Sequence, residues 1–193
     1  MQRKGRQDRR GRLLDAAIEY VAEHGIADLS LRRLGQAIGT SHRMLIHYFG
    51  SKERLFIEII RAVEHRQRDT LTELHLDPEL TAADAGRRMW QRLSDPGLWP
   101  HERLFFEIYG RALRGDPAAV PVLDDIVESW LGPLTAIEIA RGADPATARA
   151  TARLGLAVAR GLLLDLLATG DRAGVDAAME RFIALYESME TDQ

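Results

Sequence analysis

Apolar residues recur at helical spacing along most of the chain, and no stretch sustains a period of two, so the sequence predicts an all-α protein of about nine helices. Leu13, Leu14, Ala17, Ile18, Val21 and Ala22 form one stripe closed by Gly25, which predicts a first helix of about four turns. Leu31, Leu34 and Ile38 continue the spacing behind Ser30, whose hydroxyl suits an N-cap. Gly39 can then stop the helix in left-handed backbone, and Thr40 or Ser41 can cap a third helix, so the chain turns within about three residues. Ser51 caps a long pattern carrying Leu55, Ile59, Ala62 and Val63, which runs to about Leu76 before Pro78 stops it. Further breakers fall at 77–80, 94–100, 114–117, 132–133, 141–145 and 169–171, with helices expected between them.

The third helix has two unlike faces. On a wheel of about 100° per residue with His42 at zero, Leu45 and Phe49 lie together at about 300° and 340°, while His42, Ile46, Arg43 and His47 spread over the separate arc from zero to about 140°. The first face can pin the helix to its neighbours and the second can enter a DNA major groove. Arginine can bond both major-groove acceptors of guanine, and an apolar side chain can meet a thymine methyl. Tyr48 and Lys52, nearer the edges, suit phosphates, which fix register without reading sequence.

Charge sharpens this picture. Residues 1–55 hold 11 Lys and Arg against 6 Asp and Glu, a net +5, whereas residues 56–193 hold 15 against 23, a net −8. A basic module on an acidic body concentrates attraction for phosphate in one place, although the whole chain carries only −3. The bland alternative is a solvated basic tail. Arg3, Lys4, Arg6, Arg9, Arg10 and Arg12 precede any apolar periodicity, which predicts a disordered start at about 1–8 that orders on DNA. The expected division is a helix-turn-helix domain at 1–50 and a helical regulatory and dimerisation domain at 51–193.

The segment from Leu29 to Leu55 resembles the N-terminal domain of the TetR family of bacterial regulators, through Arg32, Gly39, Ser41, Leu45, His47, Tyr48, Phe49, Ser51, Lys52 and Leu55. It departs from the family pattern at Arg43, Met44 and Ile46, where a small residue, a threonine or similar, and a tyrosine are usual. The resemblance implies a transcriptional regulator, most often a repressor, bound to a palindromic operator as a homodimer and released by a small apolar or aromatic ligand. With it, the expected DNA-contacting set is Ser30, Arg32, Thr40, Ser41, His42, Arg43, Met44, Ile46, His47, Tyr48 and Lys52. An activator, or a ligand-independent DNA-binding protein of the same fold, is the alternative.

Residues 81–141 hold every tryptophan. Trp90, Trp99, Phe105, Phe106, Tyr109 and Trp130 either fill a helical core or line a ligand pocket, and the resemblance implies an inducer cavity in this region. The helix opened by Asp144 and Thr147 is apolar on most of its circumference between Leu154 and Ala168, but Arg153, Arg160 and Asp165 exclude a membrane span. Small residues one turn apart, Gly155 with Ala159 and Ala157 with Gly161, permit close approach of another helix. Leu154, Val158, Gly161 and Leu162, with Met179, Phe182, Ile183 and Tyr186 of the last helix, are the expected dimer interface, completing a four-helix bundle with a second subunit. Intramolecular packing alone is the alternative.

An enzyme is not expected. The six histidines show no metal-ligand spacing on one helix face, and there is no cysteine, no phosphate-cradling glycine loop and no glycine-flanked serine. No metal and no cofactor are expected. The basic start is not followed by an apolar run of about 7 to 15 residues, so a secretory signal is not expected, and the lack of cysteine is compatible with a reducing cytoplasm.

Overall fold

The computed structural model describes the backbone at residues 2–25, 29–77 and 79–191, and side chains at 8–25, 29–77 and 79–188. Among these residues the chain forms nine α-helices and no strand: α1 (Gln2–His24), α2 (Leu31–Ala37), α3 (His42–Phe49), α4 (Lys52–Leu76), α5 (Ala82–Leu93), α6 (Trp99–Leu113), α7 (Glu128–Ala140), α8 (Pro145–Thr169) and α9 (Arg172–Thr191). Short 3₁₀ turns occur at Pro96–Leu98 and Val120–Val122.

Local chemistry explains most of the boundaries. Ser30 Oγ accepts from the Arg33 amide at 3.2 Å, Ser41 Oγ from Met44 at 3.2 Å and Ser51 Oγ from Arg54 at 3.1 Å, so three serines start three successive helices. Thr81 and Asp144 cap α5 and α8 in the same way. Gly39, at φ 70°, ends α2 in the left-handed region, where a β-carbon would be strained. Pro100 stands in the first turn of α6, where its missing amide hydrogen costs nothing.

Two expectations are corrected. The helix α1 reaches back to Gln2, far ahead of the apolar stripe at Leu13, so a helical backbone replaces the disordered start expected at 1–8. Arginine and glutamine are good helix formers and extend a nucleus already held by the stripe. Residues 132–133 do not break the chain either: α7 runs through Pro133 from Glu128 to Ala140. The proline removes one backbone bond from a helix that packs along α8. The expected stop at Pro78 lies outside the described residues.

The chain divides into two compact units. The first comprises residues 1–65 and 97–124, and the second 66–96 and 125–193. Compactness therefore groups the chain differently from the expected functional division at residue 50. In the first unit Leu34, Leu45, Leu55, Ile59, Leu104 and Ile108 are fully buried, so α6 shares the core of the helix-turn-helix. His101 Nε2 donates to the Ile18 carbonyl at 3.0 Å and fastens α6 to α1. Arg61 donates to the Pro121 carbonyl at 2.9 Å, and an Arg111–Asp116 pair at 2.7 Å closes the turn after α6.

In the second unit α7 packs on α8, α8 on α9, and α5 on α9. Trp90 Nε1 donates to Asp176 at 2.7 Å, and Arg172 bridges Asp176 at 2.8 Å and the Ser94 carbonyl at 2.9 Å. Arg87 binds Glu180 at 2.6 Å and holds that carboxyl below its ordinary range. Met179 and Ile183 are buried within this unit, Ile183 lying 3.7 Å from where a β-carbon on Gly86 would stand. Both therefore pack inward within the subunit. The two neighbours expected beside them, Phe182 and Tyr186, are half-buried.

Candidate nucleic-acid interface

The geometry of α2 and α3 follows from a close approach between them. A β-carbon on Gly35 would stand 3.1 Å from the Thr40 carbonyl oxygen and 3.2 Å from the His42 amide nitrogen, both backbone atoms. Glycine in the middle of α2 thus lets the turn and the start of α3 lie against it. The signal in the sequence is a helix-interior glycine, which costs about 1 kcal/mol against alanine and so needs a packing reason. A Gly35→Leu substitution is expected to destabilise the full chain by about 1–3 kcal/mol through overpacking. Urea denaturation checks this, and an unchanged midpoint would contradict the close approach.

With α3 seated, its two faces separate as the wheel predicts. Leu45 is fully buried and Phe49 is 4% exposed, whereas His42, Arg43 and His47 are exposed and Ile46 is 37% exposed. Met44 and Tyr48 are half-buried at the edges. The His47 ring meets Tyr48 edge-on at 5.2 Å. Ser30 and Ser41 use their hydroxyl oxygens as caps but keep a donor hydrogen for an anion. Lys52, at the start of α4, holds its ammonium 5.2 Å from the centre of the Phe56 ring.

Ser30, Leu31, Arg32, Gln36, Thr40, Ser41, His42, Arg43, Ile46, Ser51 and Lys52 together line one concave surface. It gathers eight of the eleven residues expected to contact DNA, leaving Met44, His47 and Tyr48 outside its lining, and it adds Leu31, Gln36 and Ser51. No pattern of apolar spacing could have nominated Gln36, because its role depends on where α2 lies relative to α3.

The basic start is less available than expected. Arg10 pairs with the Glu58 carboxylate, lies 5.2 Å from the Phe49 ring centre and points Nε at the Tyr48 carbonyl, 3.4 Å away. It pins α1 to the end of α3 and to α4, a correction to its reading as a phosphate-seeking tail residue. Arg9 and Arg12 are exposed, and the side chains of Arg3, Lys4 and Arg6 lie outside the described residues.

The aromatic candidates fall in different units. Trp99, Phe105, Phe106 and Tyr109 belong to the first, with Phe105 stacked on Tyr109 at 5.5 Å and Arg103 over Trp99. Trp90 and Trp130 belong to the second and are both buried, with Arg68 over the Trp130 ring. Among the described residues no His, Cys, Asp and Glu side chains group as a metal site, and no helix is long and apolar enough to cross a membrane.

Comparison with known proteins agrees with this geometry. A family model described as bacterial regulatory proteins, tetR family, matches residues 13–59. The chain is 32% identical over 135 residues to the HTH-type transcriptional repressor AcnR of Corynebacterium efficiens, covering 70% of this chain and 66% of that protein. It is 36% identical over 108 residues to AcnR of Corynebacterium glutamicum, covering 56% and 52%. The matches thus span from about half to about two thirds of these relatives' length. A transcriptional regulator from Rhodococcus sp. Rha1 shares the fold at TM-score 0.71 and 22% identity, over 91% of this chain and 94% of that one. The multidrug binding protein EbrR complexed with proflavin aligns at TM-score 0.57 and 28% identity, over 90% and 98%. The helical architecture, the helix-turn-helix and these relatives together place the chain in the TetR family of bacterial regulatory proteins, a family of transcriptional regulators and not of enzymes.

Proposed function

We propose that this protein is a cytoplasmic transcriptional repressor that binds a palindromic DNA operator as a homodimer and is released by a small apolar or aromatic ligand. The observation that carries the reading is the concave surface lined by α2, α3 and the start of α4, which brings together Arg43 and Ile46, suited to base edges, with Arg32 and Lys52, suited to phosphate. The sign of regulation is supported by the AcnR relatives, which are named repressors. EbrR was solved with proflavin, which supports a small aromatic ligand. In this reading residues 1–50 read DNA and residues 51–193 regulate and dimerise.

The dimer is supported by the outward face of α8. Leu154, Ala157, Gly161, Leu164 and Ala168 recur at alternating steps of three and four, and all are exposed. A β-carbon on Gly155 or Gly161 would meet nothing within 4 Å, so a second helix has room to approach. Half-buried Val158 and Leu162 flank this stripe, and Leu185 of α9 is 48% exposed. The helix α4 contributes residues to both compact units and spans on the order of 37 Å, which suits it to transmit a ligand-induced tilt. A ligand releases DNA only to the extent that it binds the DNA-incompetent state more tightly.

Salt titration of duplex binding tests the phosphate contacts. Lys52→Ala should flatten the slope of log affinity against log salt by about 0.9 for each phosphate that Lys52 neutralises. An unchanged slope removes Lys52 from the interface.

A further inference from the structure

The concave surface contains one polar side chain that neither the apolar pattern nor the charge distribution identified. Gln36 is exposed on α2, one turn beyond Arg32, and it lines the surface with Arg43 and Ile46 of α3. Exposure alone does not explain this position, because Arg33 and Ala37 are also exposed on α2 and stand outside the lining. The Gln36 carboxamide has no intramolecular partner among the described residues, so its donor and acceptor are both unspent.

We propose that Gln36 reads an adenine in each half-site, making α2 a second base-reading element beside α3. The assignment rests on the proposed DNA-binding function and specifies part of its sequence preference. A neutral carboxamide gains little from a phosphate compared with the guanidinium of Arg32 or the ammonium of Lys52. Its paired donor and acceptor do match the N6 amino group and N7 of adenine in the major groove, a fit that neither a guanidinium nor an ammonium offers. The side chain shares its surface with Ile46, whose apolar contact suits a thymine methyl and not a phosphate. The half-site therefore contains an A·T pair read from α2 in addition to any guanine read by Arg43.

Selection of duplexes from a random pool by the full-length protein, followed by affinity measurements on single-base variants, tests this. The wild type should enrich a motif with a strong A·T preference at one position of each half-site. Gln36→Ala should reduce the preference there by about 5- to 150-fold, the range of a bidentate base contact, and leave the other positions and affinity for random DNA unchanged. Gln36→Glu should shift the same position toward C·G, because a carboxylate accepts from the cytosine amino group. An unchanged Gln36→Ala profile overturns the assignment and makes Gln36 a solvated residue. Equal weakening on every sequence also overturns it and makes Gln36 a backbone contact. A wild type that enriches no motif overturns the proposed function together with this assignment, whereas a wild-type motif retained in Gln36→Ala overturns the assignment alone.

Discussion

Arg43→Ala is expected to cost about 1–3 kcal/mol at one base pair of each half-site, and a symmetric dimer incurs that loss twice. Arg43 is the sole arginine of α3, it is exposed on the face opposite Leu45 and Phe49, and it lines the concave surface. No bond within the described residues occupies its guanidinium, so nothing must be broken before it meets guanine. The loss should concentrate on operators with guanine at the contacted position and vanish on operators that lack it. Competition binding with single-base operator variants measures this. Uniform loss across all variants would assign Arg43 to the phosphate backbone instead.

Leu164→Glu is expected to yield a monomer of 21.6 kDa by light scattering where the wild type gives twice that mass, with operator affinity reduced by about 10²- to 10⁴-fold. The magnitude follows from linkage: once one head is bound, its tethered partner meets the second half-site at a high effective concentration, and a monomer lacks that advantage. The substitution is chosen because Leu164 is 51% exposed within the chain, so a charge there leaves the subunit's own core intact. In a dimer the same carboxylate is buried against apolar surface without a partner, at a cost of several kcal/mol. Met179 and Ile183 would be poor sites for the experiment, because both are buried in the subunit's own core and a charge there would damage the fold itself. A Leu164→Glu protein that remains dimeric would move the interface away from α8.

Features fixed by near neighbours along the chain are legible in the sequence. Ser30, Ser41, Ser51 and Asp144 cap helices because the accepting oxygen and the orphan amides lie within three residues of each other. Gly39 and Gly170 stop helices for an equally local reason, since each adopts positive φ. The burial of Leu45 and Phe49 opposite Arg43 and His47 needs only the helical period. Features that depend on which elements meet are not legible in this way. The apolar stripe of α6 shows that it buries a face, but its placement beside α1 through His101 depends on tertiary fit. The inward turn of Met179 and Ile183, the pairing of Arg10 with Glu58 and the addition of Gln36 to the candidate site have the same origin. Spacing assigns a residue to a face of its own helix, and only packing decides what that face meets.

Selection of binding sites by the intact wild-type protein from a fully randomised duplex pool tests the central claim most directly. The expected result is enrichment of an inverted repeat whose half-site centres lie about 34 Å apart on one side of the duplex, or a multiple of that distance, with binding that weakens steeply as salt rises. Recovery of a pool no different from the input, or of a single unrepeated half-site bound as tightly as any repeat, would contradict it.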